Sequence, residues 1–157
     1  MAIIRDDFLQ SCKDGNPTML DYRTHASKKS LYNTPPVFGI YIVRLVLDWI
    51  KQQGGLAAVE KVNHSKQEKL YQILDLHSDY YKGTVKQDSR SWMNVTFRLP
   101  SEDLEKKFIA EAKAAGFGGL KGHRSVGGAR ASLYNAMTKE GVDKLADFMD
   151  QFKKANS

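Results

Sequence analysis

Residues 92–99 predict a β-strand, because from Met93 to Leu99 apolar and polar side chains alternate, which is typical of a strand with one buried face. The side chains that would face a core are Met93, Val95, Phe97 and Leu99. Those that would face away from it are Asn94, Thr96 and Arg98. Pro100 ends the strand, because proline has no backbone N–H to donate to a sheet. Since helical patterns precede and follow this strand, the chain is predicted to pack helices against a sheet.

Four segments repeat their apolar residues with the period of a helix, namely residues 34–53, 56–77, 101–116 and 138–152. Thr34, Ser101 and Thr138 would begin three of these helices, because a hydroxyl side chain accepts a hydrogen bond from the first free N–H groups. The helix that starts at Thr34 confines its polar residues to one narrow stripe. We therefore expect that helix to be buried on most sides.

Shorter patterns complete the sheet. Residues 80–85 predict a short strand, and residues 117–135 predict two strands around a turn at Gly127-Gly128. From residue 34 the order is then helix, helix, strand, strand, helix, strand, strand, helix. This order predicts an α/β fold of the α+β kind, with a small, largely antiparallel sheet covered by helices.

Residues 1–36 have no hydrophobic pattern that could form a core of its own. The pattern allows the tail of a strand at Ala2–Ile4, a short helix at Asp6–Ser11 and an extended segment at Met19–His25. A turn cluster, Asp14-Gly-Asn-Pro17, lies between them. The segment therefore has the character of a piece of a larger domain.

Composition excludes several classes of protein. The formal net charge is +6, but the basic residues are dispersed among acidic ones, which argues against nucleic-acid binding. The most apolar stretch, residues 36–50, is too short for a membrane span and contains Arg44 and Asp48. A single cysteine, Cys12, cannot form an intramolecular disulfide and suits a reducing compartment. The N-terminus has no signal-peptide layout, so we expect a cytoplasmic protein.

Common catalytic and metal-binding motifs are missing from the sequence. The four histidines have no metal-ligand spacing with cysteines or carboxylates. There is no P-loop, nucleophile elbow or dinucleotide-binding fingerprint. No lysine lies in an apolar pattern that would obviously lower its pKa. The histidine spacing therefore predicts no metal site.

Two segments are candidates for anion binding. Asn33 and Thr34 lie at the predicted start of a helix, where free N–H groups attract anions, although a simple helix cap at Thr34 is by far the commoner arrangement. Residues 122–130 combine His123, Arg124 and Arg130 with glycines. Arginine suits carboxylate or phosphate, and glycine lets the backbone approach a ligand, but a β-turn with surface arginines has the same composition.

Four sequence motifs resemble, in the same order along the chain, the C-terminal pattern of the phosphoserine aminotransferase family. They are Ser30-Leu-Tyr-Asn-Thr-Pro-Pro36, Trp49-Ile-Lys-Gln-Gln-Gly-Gly55, Met93-Asn-Val-Thr-Phe97 and Gly122-His-Arg-Ser-Val-Gly-Gly-Ala-Arg-Ala-Ser-Leu-Tyr-Asn-Ala136. The similarity covers essentially the whole chain. The last motif is long enough to be highly specific.

The resemblance implies the type I aminotransferase fold, a pyridoxal 5'-phosphate (PLP) cofactor and a homodimer with active sites at the subunit interface. Its reaction would move an amino group between glutamate and 3-phosphohydroxypyruvate, giving phosphoserine and 2-oxoglutarate in serine biosynthesis. A related substrate would belong to vitamin B6 biosynthesis. Asn33 and Thr34 would contact the PLP phosphate of the neighbouring subunit. His123 and Arg124 would hold the substrate phosphate, and Arg130 the substrate carboxylate.

The resemblance also implies what the chain lacks. The Schiff-base lysine of the family lies shortly upstream of a segment like Ala2–Leu9, so no catalytic lysine is expected here. Residues 1–33 would be a remnant of the large PLP-binding domain with a connecting segment. Residues 34–157 would be the C-terminal small domain with the long interdomain helix. We expect the isolated chain to be inactive and without bound PLP. The alternative is a non-catalytic anion-binding or interaction module with the same fold.

Overall fold

The computed structural model describes all residues from 1 to 157. The chain divides into two compact units, Met1–Trp49 and Ile50–Ser157, and each is described by itself. No helix is both long enough and apolar enough to cross a membrane.

The first unit is helical. It contains α1 (Asp6–Gln10), a 3₁₀ turn (Thr18–Leu20), α2 (Tyr22–Ser27) and most of α3 (Val37–Gln52). The short helix predicted near residue 6 is confirmed, whereas the strand tail at Ala2–Ile4 and the extended segment at Met19–His25 are wrong. The second error has a local cause. The Asp21 carboxylate accepts a hydrogen bond from Arg23 N (2.9 Å) and caps α2.

Helix α3 differs from its prediction at its start and in its burial. It begins at Val37, because the Pro36 carbonyl accepts the hydrogen bond from Ile40 N (3.0 Å), so Thr34 is not the cap. No α3 residue is buried, and Phe38 is 75% exposed. The expectation of burial on most sides is therefore wrong for this chain. The apolar pattern of α3 forms a surface that the other residues of this chain leave exposed.

The second unit is built on a three-stranded antiparallel sheet in the order β1 (Lys82–Gly83), β2 (Asn94–Arg98), β3 (Ala129–Ser132). This confirms the predicted fold class. Only one of the two strands predicted in residues 117–135 forms. The other is reduced to a single bridge between Lys121 and Ala129, because the intervening residues turn back through a loop.

Three helices cover one face of the sheet: α4 (Leu56–Leu76), α5 (Glu102–Ala114) and α6 (Lys139–Asn156). The predicted alternation in β2 is confirmed, since Val95 and Phe97 are 0% and 1% exposed while Thr96 and Arg98 face the other side. Two of the three predicted caps, Ser101 and Thr138, are confirmed as well. Ser101 Oγ accepts a hydrogen bond from Leu104 N, and Thr138 Oγ1 accepts one from Gly141 N; both donor–acceptor distances are 3.2 Å.

An ion pair ties α4 to the segment before β2. The Arg90 guanidinium lies 4.4 Å from the centre of the Tyr71 ring and donates two hydrogen bonds to the Asp75 carboxylate. Hydrogen bonding to Arg90 lowers the pKa of Asp75 below its ordinary value of 3.8. The folded state therefore favours the ionised carboxylate.

Asp75→Asn should remove a pH-dependent part of the stability. A lowered pKa contributes stability that is present above pH 3.8 and lost as the pH falls through the folded-state value. The wild-type advantage over Asp75→Asn should be about 1 kcal/mol or less at neutral pH, because the pair is partly exposed, and it should vanish in acid. Urea unfolding across pH measures it. Asp147→Asn, at an exposed aspartate without an ion pair, controls for net charge, and an advantage that grew in acid would contradict the prediction.

Candidate functional site

Residues 121–128 form a loop between α5 and β3 that carries two of the predicted anion ligands, His123 and Arg124. Both side chains are exposed. Arg124 makes no hydrogen bond or ion pair, and His123 Nδ1 lies 2.7 Å from Ser125 Oγ within the loop. The loop therefore presents an unpaired guanidinium beside an imidazole, which suits a phosphate group.

The loop closes on itself through its backbone. Gly122 N donates to Gly128 O (2.9 Å), and the N–H groups of Val126 and Gly127 donate to the carbonyl of His123 (3.0 and 2.8 Å). Gly127 and Gly128 have φ of +75° and +70°, a conformation that L-residues rarely adopt. Gly127 and Gly128, the turn predicted from the sequence, thus allow the chain to adopt the backbone conformation that closes the loop.

An ion pair from the neighbouring elements supports the loop. Arg98 Nε donates to Glu105 Oε1 (2.6 Å), and Arg98 Nη1 donates to the Val126 carbonyl (2.6 Å). The second oxygen of Glu105 accepts from Gly128 N (3.2 Å). Sequence reasoning did not find this pair, because nothing in the spacing of Arg98 and Glu105 links them to Val126 and Gly128, which are 28 and 23 positions further along the chain.

A cleft of about 680 Å³ opens between this loop and α5. Its charged and imidazole-bearing lining residues are Arg98, Glu102, Glu105, Lys106, Lys113, Lys121, His123 and Arg124. Cations outnumber carboxylates in this lining. The cleft can therefore attract an anion, and His123 and Arg124 both line it.

Arg130 lies apart from that pair. It belongs to β3 opposite Thr96, on the sheet face that points away from the core, and it lines a different cleft of about 530 Å³ with Ser132, Tyr134 and Met137. Arg130 forms no ion pair, and its Nε is buried without a hydrogen-bond partner. A half-buried guanidinium in this state is a candidate for a carboxylate ligand, because arginine satisfies two hydrogen bonds at once in such a pair.

Asn33 and Thr34 lie in the first unit, just before α3, and both are exposed. Asn33 Nδ2 makes only a long contact with Thr34 O (3.4 Å), and the Thr34 hydroxyl makes no hydrogen bond. Their donors are therefore available to an outside acceptor such as a phosphate oxygen. Since neither side chain carries a charge, a phosphate bound there would need other groups to balance its charge.

One lysine contradicts the expectation that none lies in an apolar setting. Lys66 on α4 is 0% exposed, and its Nζ donates hydrogen bonds to the carbonyls of Tyr134 and Met137, both at 3.0 Å. Burial lowers the pKa of Lys66. Its spacing of four from Leu70 and eight from Leu74 placed it on the buried face of α4, which is the signal that was missed. Lys66 anchors a segment that lines the Arg130 cleft.

Gly122→Ala should disrupt the loop, because a Cβ on Gly122 would lie 2.0 Å from Gly127 O and 2.7 Å from Gly128 O. Overpacking against backbone costs about 1–3 kcal/mol in the free energy of unfolding. Gly118→Ala is the matched control, since a Cβ there meets nothing within 4 Å. Thermal and urea unfolding of both variants check the difference. Equal stabilities would show that the loop opens at no cost.

The chain matches known proteins along nearly its whole length. A family model for class-V aminotransferases matches residues 3–145. A phosphoserine aminotransferase of Geobacillus kaustophilus is 54% identical over 98% of this chain and 43% of its own length. That of Desulfatibacillum aliphaticivorans is 56% identical over 99% of this chain and 43% of its own. This chain thus spans 43% of the length of those curated relatives.

Solved structures give the same result. Phosphoserine aminotransferase from Bacillus circulans subsp. alkalophilus superposes with a TM-score of 0.93 at 49% identity, over 98% of this chain and 43% of that one. A PLP-bound phosphoserine aminotransferase from Trichomonas vaginalis superposes with a TM-score of 0.86 at 38% identity, over 94% and 42% of the two chains. The resemblance to the phosphoserine aminotransferase family is therefore confirmed in both sequence and fold.

Proposed function

Because the chain belongs to the class-V aminotransferase family, we propose that it is the C-terminal part of a phosphoserine aminotransferase and supplies its substrate-binding side chains. The reaction would transfer an amino group between glutamate and 3-phosphohydroxypyruvate in serine biosynthesis. A related phosphorylated substrate of vitamin B6 biosynthesis is part of the same proposal. One observation carries it: Arg130 is half-buried, unpaired and has a buried Nε that lacks an acceptor.

Each candidate residue has a role that fits its surroundings. Arg130 would grip the substrate carboxylate with its planar fork, which also fixes the orientation of the substrate. His123 and Arg124 would bind the substrate phosphate at the loop, where a dianion needs clustered cationic donors. Asn33 and Thr34 would donate to the PLP phosphate of the neighbouring subunit in a homodimer.

PLP, when bound, supplies the electron sink for the transfer. The residues of this chain hold and orient the groups around it. None of them matches the Schiff-base lysine, and Lys66, the one buried lysine, has its Nζ engaged by two backbone carbonyls. We therefore expect the 157-residue chain alone to be inactive.

The domain arrangement follows from the same proposal. Residues 1–33 would belong with the large PLP-binding domain, and residues 34–157 would form the small domain together with the interdomain helix α3. The exposed apolar surface of α3 supports this, since such a surface is commonly covered by another domain. The working protein would be cytoplasmic.

The test is to join this chain to the remaining part of a relative. A chimera would carry the N-terminal portion of the Geobacillus kaustophilus enzyme, with its lysine, followed by these 157 residues. We expect phosphoserine-dependent formation of glutamate from 2-oxoglutarate by the PLP-loaded chimera and none by the chain alone. A folded, PLP-loaded chimera without activity would contradict the proposal and favour a non-catalytic anion-binding module, for which the cationic cleft beside α5 is the supporting feature.

A further inference from the structure

The conformation of the loop at residues 121–128 depends on side chains outside it. Within the loop, only backbone hydrogen bonds and the His123–Ser125 contact hold the chain. The side chains from elsewhere that hydrogen-bond the loop are Arg98 at the end of β2 and Glu105 in the first turn of α5. These two residues therefore connect the exposed loop to the sheet and to a core helix.

Arg98 and Glu105 hydrogen-bond the loop at two different backbone groups. Arg98 donates to the Val126 carbonyl, and Glu105 accepts from the Gly128 N–H, so one residue engages an acceptor and the other a donor. Glu105 Oε1 also accepts from Leu99 N (3.4 Å), which fixes the carboxylate against the end of β2. The Glu105 side chain is only 12% exposed and that of Arg98 38%.

Close packing reinforces the hydrogen bonds. A Cβ on Gly128 would lie 2.6 Å from Arg98 Cδ and 2.7 Å from Phe97 O. A Cβ on Gly127 would lie 3.0 Å from Arg98 Nη1. The two glycines thus pack closely against the Arg98 side chain, so packing as well as hydrogen bonding couples the loop to Arg98.

We propose that Arg98 and Glu105 are positioning residues that hold this loop in the conformation in which His123 and Arg124 bind a phosphate group. The inference rests on the proposed function, which assigns phosphate binding to those two side chains. Neither member of the pair is expected to touch the phosphate. Their charges cancel within the pair, so their contribution is geometric.

A charge-matched pair of variants separates geometry from electrostatics. Glu105→Gln and Glu102→Gln each remove one negative charge from the same helix and the same cleft. Glu102 makes no hydrogen bond to the loop. If charge alone mattered, both variants would bind an anion more tightly. If Glu105 positions the loop, only Glu105→Gln binds it more weakly, by about tenfold, the effect expected when a supporting hydrogen bond to a binding group is lost.

The measurement is an NMR titration of the full 157-residue chain with inorganic phosphate, following the His123 imidazole and the loop amides. Arg124→Gln defines the loss expected when a direct ligand is removed. Hydrogen exchange of the Gly128 amide, expected to be faster by about tenfold in Glu105→Gln, reports loop order independently of any ligand. Arg98→Lys keeps its charge but cannot fork between Glu105 and the Val126 carbonyl, so it should also weaken phosphate binding.

The outcomes are distinct. Weaker binding by Glu105→Gln and Arg98→Lys, with Glu102→Gln equal to or tighter than wild type, supports the positioning role. Parallel behaviour of the two glutamate variants overturns it. If Glu105→Gln unfolds, Arg98→Lys decides by the same criterion. A wild-type chain whose loop ignores phosphate overturns the phosphate site itself, and unchanged Gly128 exchange in Glu105→Gln overturns the ordering of the loop by the pair.

Discussion

Phe108→Ala should lower the free energy of unfolding by about 3–5 kcal/mol, the range for removing a fully buried phenylalanine from a core. Phe108 on α5 is 0% exposed. Its ring lies 5.7 Å from that of Phe97 on β2 and 5.1 Å from that of Phe152 on α6. The residue therefore links the sheet to two helices, and its loss leaves a cavity that none of these elements can close by itself.

Urea unfolding of the chain measures this effect. Leu76→Ala is a suitable control, because Leu76 is 70% exposed at the end of α4 and its truncation should change the free energy by about 0.5 kcal/mol or less. A loss below about 1 kcal/mol for Phe108→Ala would mean that the aromatic cluster is not the core of the second unit.

Arg130→Ala should reduce kcat/KM of the PLP-loaded chimera by about 10²–10³-fold, because removing one partner of a desolvated charge pair costs about 2–5 kcal/mol. The buried, unpaired Nε of Arg130 is the structural reason for expecting a substrate carboxylate there. Arg130→Lys should recover only part of the activity, since lysine keeps the charge but lacks the planar fork.

Steady-state kinetics with phosphoserine check the Arg130 prediction. A stability measurement on the same variants is the control, because Arg130 lies in β3 and its loss must not be confused with unfolding. Wild-type kcat/KM in Arg130→Ala would exclude the carboxylate role. Full activity in Arg130→Lys would show that charge alone suffices.

Local patterns predicted the fold where short-range chemistry decides it. The alternation of Val95 and Phe97 gave the strand, and Ser101 and Thr138 gave two helix starts. The prediction of an extended segment at Met19–His25 was wrong, because a side chain–backbone hydrogen bond at Asp21 starts a helix that the apolar pattern does not reveal. Burial of α3 failed for a different reason: periodicity predicts an apolar face but not the surface that would cover it.

The candidate site was only partly accessible from sequence. The glycines and arginines of residues 122–130 have a recognisable composition, and the motif match assigned them roles. The separation of Arg130 from the cleft of His123 and Arg124 depends on the fold of the loop and could not be predicted. The same is true of Arg98 and Glu105, whose partners are distant in sequence.

Substrate preference of the chimera tests most directly whether this chain supplies the substrate-binding side chains. We predict that kcat/KM for phosphoserine exceeds that for serine by about 10³-fold or more, since a site built to pair a charged group rejects the analogue that lacks it. Arg124→Gln should remove most of this preference while leaving the activity with serine unchanged. A strong preference for phosphoserine that survives Arg124→Gln, or no preference in the wild-type chimera, would contradict the account.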